Sequence, residues 1–137
     1  MTDFLDTNIL VYAYDTNDQA KQEVAKRVLE TAFLENNAAI SAQVLSEFFV
    51  VGTRKIANPL KPEEAGQLIA LFRKLPVVEI DGGLVEEAVD IHRKHGVSFW
   101  DALIIAAARR LRCARILSED MHDGQLIEGI RIVNPFT

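Results

Sequence analysis

The chain has almost none of the residues that fasten a protein from outside its core. One cysteine, Cys113, in 137 residues excludes an internal disulfide. Its setting, Leu111-Arg112-Cys113-Ala114, between a basic helical stretch and an apolar run, suits a small core residue instead. No apolar run approaches the roughly 20 residues a membrane-spanning helix needs. Met1-Thr2-Asp3 has neither the basic start nor the apolar stretch of a secretory signal, so a cytoplasmic location with no membrane contact is expected. Positive charge is also scarce: 15 Lys and Arg against 20 Asp and Glu give a net charge of −5. A large, permanently bound nucleic acid would call for a clustered basic excess. Brief contact survives this test, because an acidic site holding divalent cations presents positive potential locally. With four prolines and seven glycines there is no low-complexity run, no internal repeat and no linker.

What is present is a soluble globular composition, 49% hydrophobic and 26% charged. The length suits one domain, residues 1–137, with a single core burying roughly two-thirds of the unfolded surface. Short apolar runs alternate with longer amphipathic segments, the pattern of a mostly parallel sheet covered by helices on both faces. About five strands are expected: Asp3 to Leu5, Ala38 to Ile40, Val77 to Glu79, Arg115 to Leu117 and Ile130 to Val133. Ala20, Val24, Val28 and Ala32 form a helical stripe that ends at Asn36-Asn37. Further helices are expected from Ser41 to about Val51, from Pro62 through Leu68, Ile69 and Phe72, from Asp81-Gly82-Gly83 to His95-Gly96, and from Ser98 to about Arg112.

Four acids stand out. Asp6 ends the first strand candidate, at the sheet edge where open parallel sheets bind ligands, though it also suits a helix N-cap. Glu47 has Gln43, Val44, Val50 and Val51 three and four residues away, an apolar face on which an ionised carboxylate needs compensation. A buried salt bridge or the edge of the apolar stripe is the structural alternative. Asp101, among Val97, Ser98, Ile104 and Ile105, repeats that pattern, and Ser98-Phe99-Trp100-Asp101 also reads as a capping box. Asp120 follows the fourth strand candidate on the same edge as Asp6. Its neighbours Glu119 and Asp123 are substitutes for it, although Asp123-Gly124 reads more simply as a turn.

Carboxylates about 4 Å apart repel by roughly 4 kcal/mol at an effective dielectric of 20, so such a cluster needs a cation or shifted pKa values. Oxygen-only ligands, in a chain with one cysteine and three histidines, point to Mg²⁺ or Mn²⁺. His92 and His95 fit a helix C-terminus, where a cation complements the dipole, and His122 fits the surface.

These motifs resemble the PIN-domain family, specifically the VapC-type toxins of bacterial and archaeal toxin–antitoxin pairs. Leu5-Asp6-Thr7-Asn8-Ile9-Leu10 is similar to the family's opening motif, Ser41 to Phe48 to its second and Phe99-Trp100-Asp101-Ala102 to its third. Ser118 and Asp120 meet the fourth, but His122-Asp123-Gly124-Gln125 departs from its commoner aromatic continuation. The resemblance implies a three-layer α/β/α sandwich, Mg²⁺- or Mn²⁺-dependent hydrolysis of RNA, a homodimer and a small antitoxin partner. In the mechanism it suggests, Asp6, Glu47 and Asp101 hold metal while Asp120 completes the shell or positions water. Thr7, Asn8 and Ser118 orient carboxylates, contact phosphate or cap helices, and Arg54 and Lys55 lie within reach of a bound strand. Arg109, Arg110 and Arg112 have no assignment beyond a cationic helix end.

Rival readings fit less well. A phosphoacceptor receiver would need an acidic pair after its first strand, and an aspartate-nucleophile phosphatase a second Asp where Asn8 stands. An inert PIN-like module that binds RNA or a partner protein is the stronger competitor, and the complete acidic set speaks against it.

Overall fold

A computed structural model describes residues 2–137. Six strands form one sheet: β1 (Asp3–Leu5), β2 (Ala38–Ser41), β3 (Val77–Val78), β4 (Arg115–Leu117), β5 (Leu126–Ile127) and β6 (Ile130–Val133). Their spatial order is β3-β2-β1-β4-β6-β5, parallel throughout except for the antiparallel edge pair β5 and β6. Six helices join them: α1 (Thr7–Tyr12), α2 (Gln19–Glu35), α3 (Ala42–Arg54), α4 (Pro62–Phe72), α5 (Gly82–His95) and α6 (Phe99–Arg110). The chain winds outward from β1 through β2 to β3, then returns through α5 and α6 to β4 on the other side of β1. Because parallel crossovers are right-handed, that reversal puts α1 to α4 on one face and α5 with α6 on the other. The packing agrees: α1 touches α2 and α3, α3 touches α4, and α6 lies on α5, β2, β4 and β6. The result is the expected α/β/α sandwich.

The sheet is buried on both faces, so its strands are nearly continuous apolar runs; Phe4, Leu5, Ala39, Ile40 and Ile116 are all core residues. Asp18, Ser41, Asp81 and Ser98 each accept an amide hydrogen bond at the start of α2, α3, α5 and α6. Pro62 opens α4, where its missing N–H costs nothing. Asn36 and Gly96 end α2 and α5 in the left-handed conformation. Cys113 is buried, as expected. No helix among the described residues is long and apolar enough to cross a membrane.

Three differences from the expected elements have physical causes. The sheet has six strands because Glu128-Gly129, at φ 50° and 78°, closes a two-residue hairpin that pairs Ile127 with Ile130 and creates β5. A left-handed glutamate is unusual there, but Glu128 is tied to Arg109 and to His95. Asp6, weighed also as a helix N-cap, does cap a short helix, α1, whose extent was not anticipated because its six residues are too few to show a helical period. Helix α6 stops at Arg110, two residues short of the expected end, and Arg112 takes φ 55°.

Candidate active site

In an open sheet, ligands gather beyond the carboxyl ends of the strands where the strand order reverses, here between β1 and β4. Asp6 stands at that point. Its amide donates to the carbonyl of Leu117 at 3.0 Å, extending the β1–β4 pairing, and its carboxylate lies at the sheet edge, only 6% exposed. Oδ1 accepts the Thr7 amide at 2.7 Å and Oδ2 accepts the Ser118 hydroxyl at 2.6 Å. Burial outweighs these bonds. Reinforced by repulsion from Asp120 and Glu47, it pushes the Asp6 pKa up to about 6.

The neighbouring acids are oriented by the polar residues between them. Ser118 Oγ also accepts the Asp120 amide at 3.1 Å, so one hydroxyl links both acids. Asn8 Nδ2 donates to Asp120 Oδ2 at 3.0 Å, while Asn8 Oδ1 accepts the Glu119 amide at 3.2 Å. Thr7 Oγ1 donates to Glu47 Oε1 at 2.7 Å across the gap between α1 and α3. Thr7, Asn8 and Ser118, weighed as orienting carboxylates, contacting phosphate or capping helices, each form a side-chain hydrogen bond to one of these carboxylates. Asp101 begins α6 with its amide bonded to Ser98 Oγ at 3.1 Å, half of the anticipated capping box. Burial raises the pKa of its carboxyl; the Ser98 hydroxyl opposes that rise and repulsion from Asp120 adds to it.

Asp6, Glu47, Asp101 and Asp120 line a single cavity of about 630 Å³, bordered also by Thr7, Asn8 and Lys55. None of the four takes part in an ion pair among the described residues. The buried salt bridge weighed for Glu47 is thus not formed; on its face Val50, 46% exposed, and Val51 line the cavity, whereas Val44 belongs to the core. The acids surround the cavity without converging, and no three Asp, Glu, His or Cys side chains among the described residues are close enough to hold an ion as placed. Mutual repulsion favours that separation. The donor set nevertheless fits a hard divalent cation: oxygen only, mostly unneutralised and braced by neutral hydrogen-bond donors.

Glu119 and Asp123 have other partners. Glu119 borders the cavity, but Lys21 Nζ lies 2.5 Å and Tyr12 Oη 2.7 Å from its carboxylate. Burial alone would raise its pKa; these two bonds reverse the direction and lower it. Asp123 accepts the Asn134 amide at 2.8 Å and lies outside the cavity lining. Arg54 also lies outside it, one residue before Lys55. Arg109 and Arg110 pair with Glu87, and with Glu128 and Asp81 respectively, so their charges are matched within the fold and away from the cavity. His92 Nδ1 reaches the carbonyl of Val97 just past its helix, and His122 is exposed.

Gln43 and Trp100 are among the lining residues that were not anticipated. Gln43, 6% exposed, donates from Nε2 to the carbonyl of Trp100 at 3.3 Å, tying α3 to the start of α6. Its Oε1 is the one buried side-chain polar atom without a partner among the described residues. The available signal was its position one helical turn before Glu47 on the same apolar face. Trp100 is 63% exposed at the cavity margin. Its place beside Asp101 was visible, but its orientation depends on tertiary packing.

An acidic cavity at the reversal point of an open, mostly parallel α/β sheet defines the structural class. Residues 4–122 match the PIN domain, and the chain belongs to that family. Solved structures share the fold over nearly the full length. A toxin–antitoxin complex from Klebsiella pneumoniae is 19% identical with a TM-score of 0.67, 98% of each chain being covered. The Mycobacterium tuberculosis VapC20 toxin, described as cleaving the sarcin-ricin loop, is 21% identical with a TM-score of 0.65, covering 87% of this chain and 90% of its own. VapBC2 from Rickettsia felis, bound to a DNA fragment from its promoter, is 20% identical with a TM-score of 0.63, covering 96% and 97%. No curated protein matches the sequence.

Proposed function

We propose that this chain is a Mg²⁺- or Mn²⁺-dependent endoribonuclease acting as the toxin of a toxin–antitoxin pair, with a small antitoxin partner and a homodimeric assembly. The observation that carries the catalytic part is the single cavity lined by Asp6, Glu47, Asp101 and Asp120, none of them ion-paired among the described residues. The toxin and partner parts draw on membership of the PIN family and on neighbours that are toxins or toxin–antitoxin complexes.

Asp6, Glu47 and Asp101 would hold the metal, with Asp120 completing the set or orienting the attacking water. A bound divalent cation supplies water activation and neutralises charge developing on the phosphate. The chain supplies orientation. Ser118 and Thr7 hold Asp6 and Glu47 by hydrogen bonds, and Asn8 holds Asp120. Lys55 is the basic residue of the cavity lining and is placed to attract phosphate; Arg54 has a weaker claim. The test is cleavage of single-stranded RNA by the purified protein with Mg²⁺ or Mn²⁺. Cleavage should stop with chelator and in Asp6→Asn and Asp101→Asn, both still folded. Full activity in either variant would refute the assignment.

A further inference from the structure

We infer that Trp100 is a stacking platform for a nucleobase flanking the cleaved phosphodiester, which gives this cavity a preference for single-stranded substrate. The inference rests on the ribonuclease reading above and specifies how its substrate is gripped.

A tryptophan 63% exposed leaves a large apolar ring in water, an arrangement typical of binding surfaces. This ring is not on a remote face: Trp100 lines the same cavity as the four acids and directly precedes Asp101. It is also held in place. Gln43 Nε2 bonds its carbonyl at 3.3 Å, and Phe99 meets the indole edge-on at 5.4 Å between ring centroids. On α3, exposed Val50 adds apolar surface to the same cavity. The occupant must therefore bring two things at once. It needs an anionic group that a cation on the carboxylates can hold, and a flat apolar group beside it for the indole. A nucleotide in a single strand has that pairing, whereas bases in a duplex are already stacked and closed to an indole.

Trp100 is the only tryptophan of the chain, so its fluorescence reports on the stack directly. Rapid mixing of the wild-type protein and Mg²⁺ with a single-stranded RNA of roughly eight nucleotides should quench that signal before cleavage. An abasic sugar-phosphate strand of equal length should not. In steady state, Trp100→Ala should raise KM roughly 5- to 100-fold with the loss falling on KM rather than kcat, and Trp100→Phe should recover part of it. If the wild type cleaves RNA while Trp100→Ala keeps its KM and RNA leaves the fluorescence unchanged, the stacking role is wrong and the ribonuclease reading stands. Loss confined to kcat and not rescued by Phe would make the indole a prop for Asp101 and overturn it. So would quenching by a basic partner peptide but not by RNA. Failure of the wild type to bind or cut RNA removes both the stacking role and the ribonuclease reading.

Discussion

The hydroxyl of Ser118 donates to Oδ2 of Asp6 at 2.6 Å, across 112 residues of sequence and across the β1–β4 pair at which the strand order reverses. The same oxygen accepts the amide of Asp120, so one buried side chain sets the position of two site acids. Ser118→Ala should therefore act as an orienting defect. Metal affinity is expected to fall roughly 10- to 100-fold. Stability should drop by about 1–3 kcal/mol, since a buried carboxylate oxygen loses its partner. Metal titration and urea unfolding measure the two effects separately, and unchanged affinity would show that Asp6 needs no such anchor.

The three neighbouring acids should separate cleanly. Asp120→Asn is expected to abolish RNA cleavage. Glu119→Gln should retain most activity and lose stability through its Lys21 and Tyr12 bonds. Asp123→Asn should leave the catalytic rate nearly unaltered, because its oxygen caps the Asn134 amide outside the cavity. A reversal between Asp120 and Glu119 in cleavage rate would relocate the fourth acid.

The sheet and its acids were largely legible in the sequence, for reasons particular residues make clear. Buried parallel strands are apolar runs, so β1, β4 and β6 could be bounded from Asp3–Leu5, Arg115–Leu117 and Ile130–Val133. Glu47 and Asp101 were visible as charges on apolar helix faces. Sequence spacing favoured Asp120 but kept Glu119 and Asp123 as substitutes, because the partners that set Glu119 and Asp120 apart, Lys21 and Asn8, lie some hundred residues earlier in the chain and are brought in by the fold. Gln43 was missed for a similar reason, since its link to Trp100 spans 57 residues. The β5 edge was missed because Glu-Gly is a weaker hairpin signal than Asn-Gly or Asp-Gly.

The raised pKa of Asp6 makes stability depend on pH in a defined direction. Its folded value of about 6 exceeds the ordinary 3.8, so the folded state holds this proton more tightly than the unfolded chain does. The associated stability is fully present below pH 3.8 and is lost as pH rises through about 6, an effect of about 3 kcal/mol for this buried group. In metal-free buffer, Asp6→Asn should thus be more stable than wild type at pH 7.5, with the advantage vanishing near pH 4. Thermal unfolding across that range checks it; a wild type stabilised relative to the variant as pH rises would contradict the burial argument.

Metal binding should show the complementary dependence, because the ion competes with the Asp6 proton. Mn²⁺ affinity is expected to weaken as pH falls below about 6, with proton release detectable in buffers of different ionisation enthalpy. Affinity independent of pH between 5 and 7.5 would remove Asp6 from the ligand set.

The central claim is that Asp6, Glu47, Asp101 and Asp120 together bind a divalent cation, and calorimetric titration of the metal-free wild-type protein with Mn²⁺ at pH 7.5 tests it most directly. Saturable binding is expected, lost or severely weakened in Asp101→Asn while its circular dichroism stays that of the wild type. No Mn²⁺ binding to the wild type, or equal binding to the variant, would contradict it.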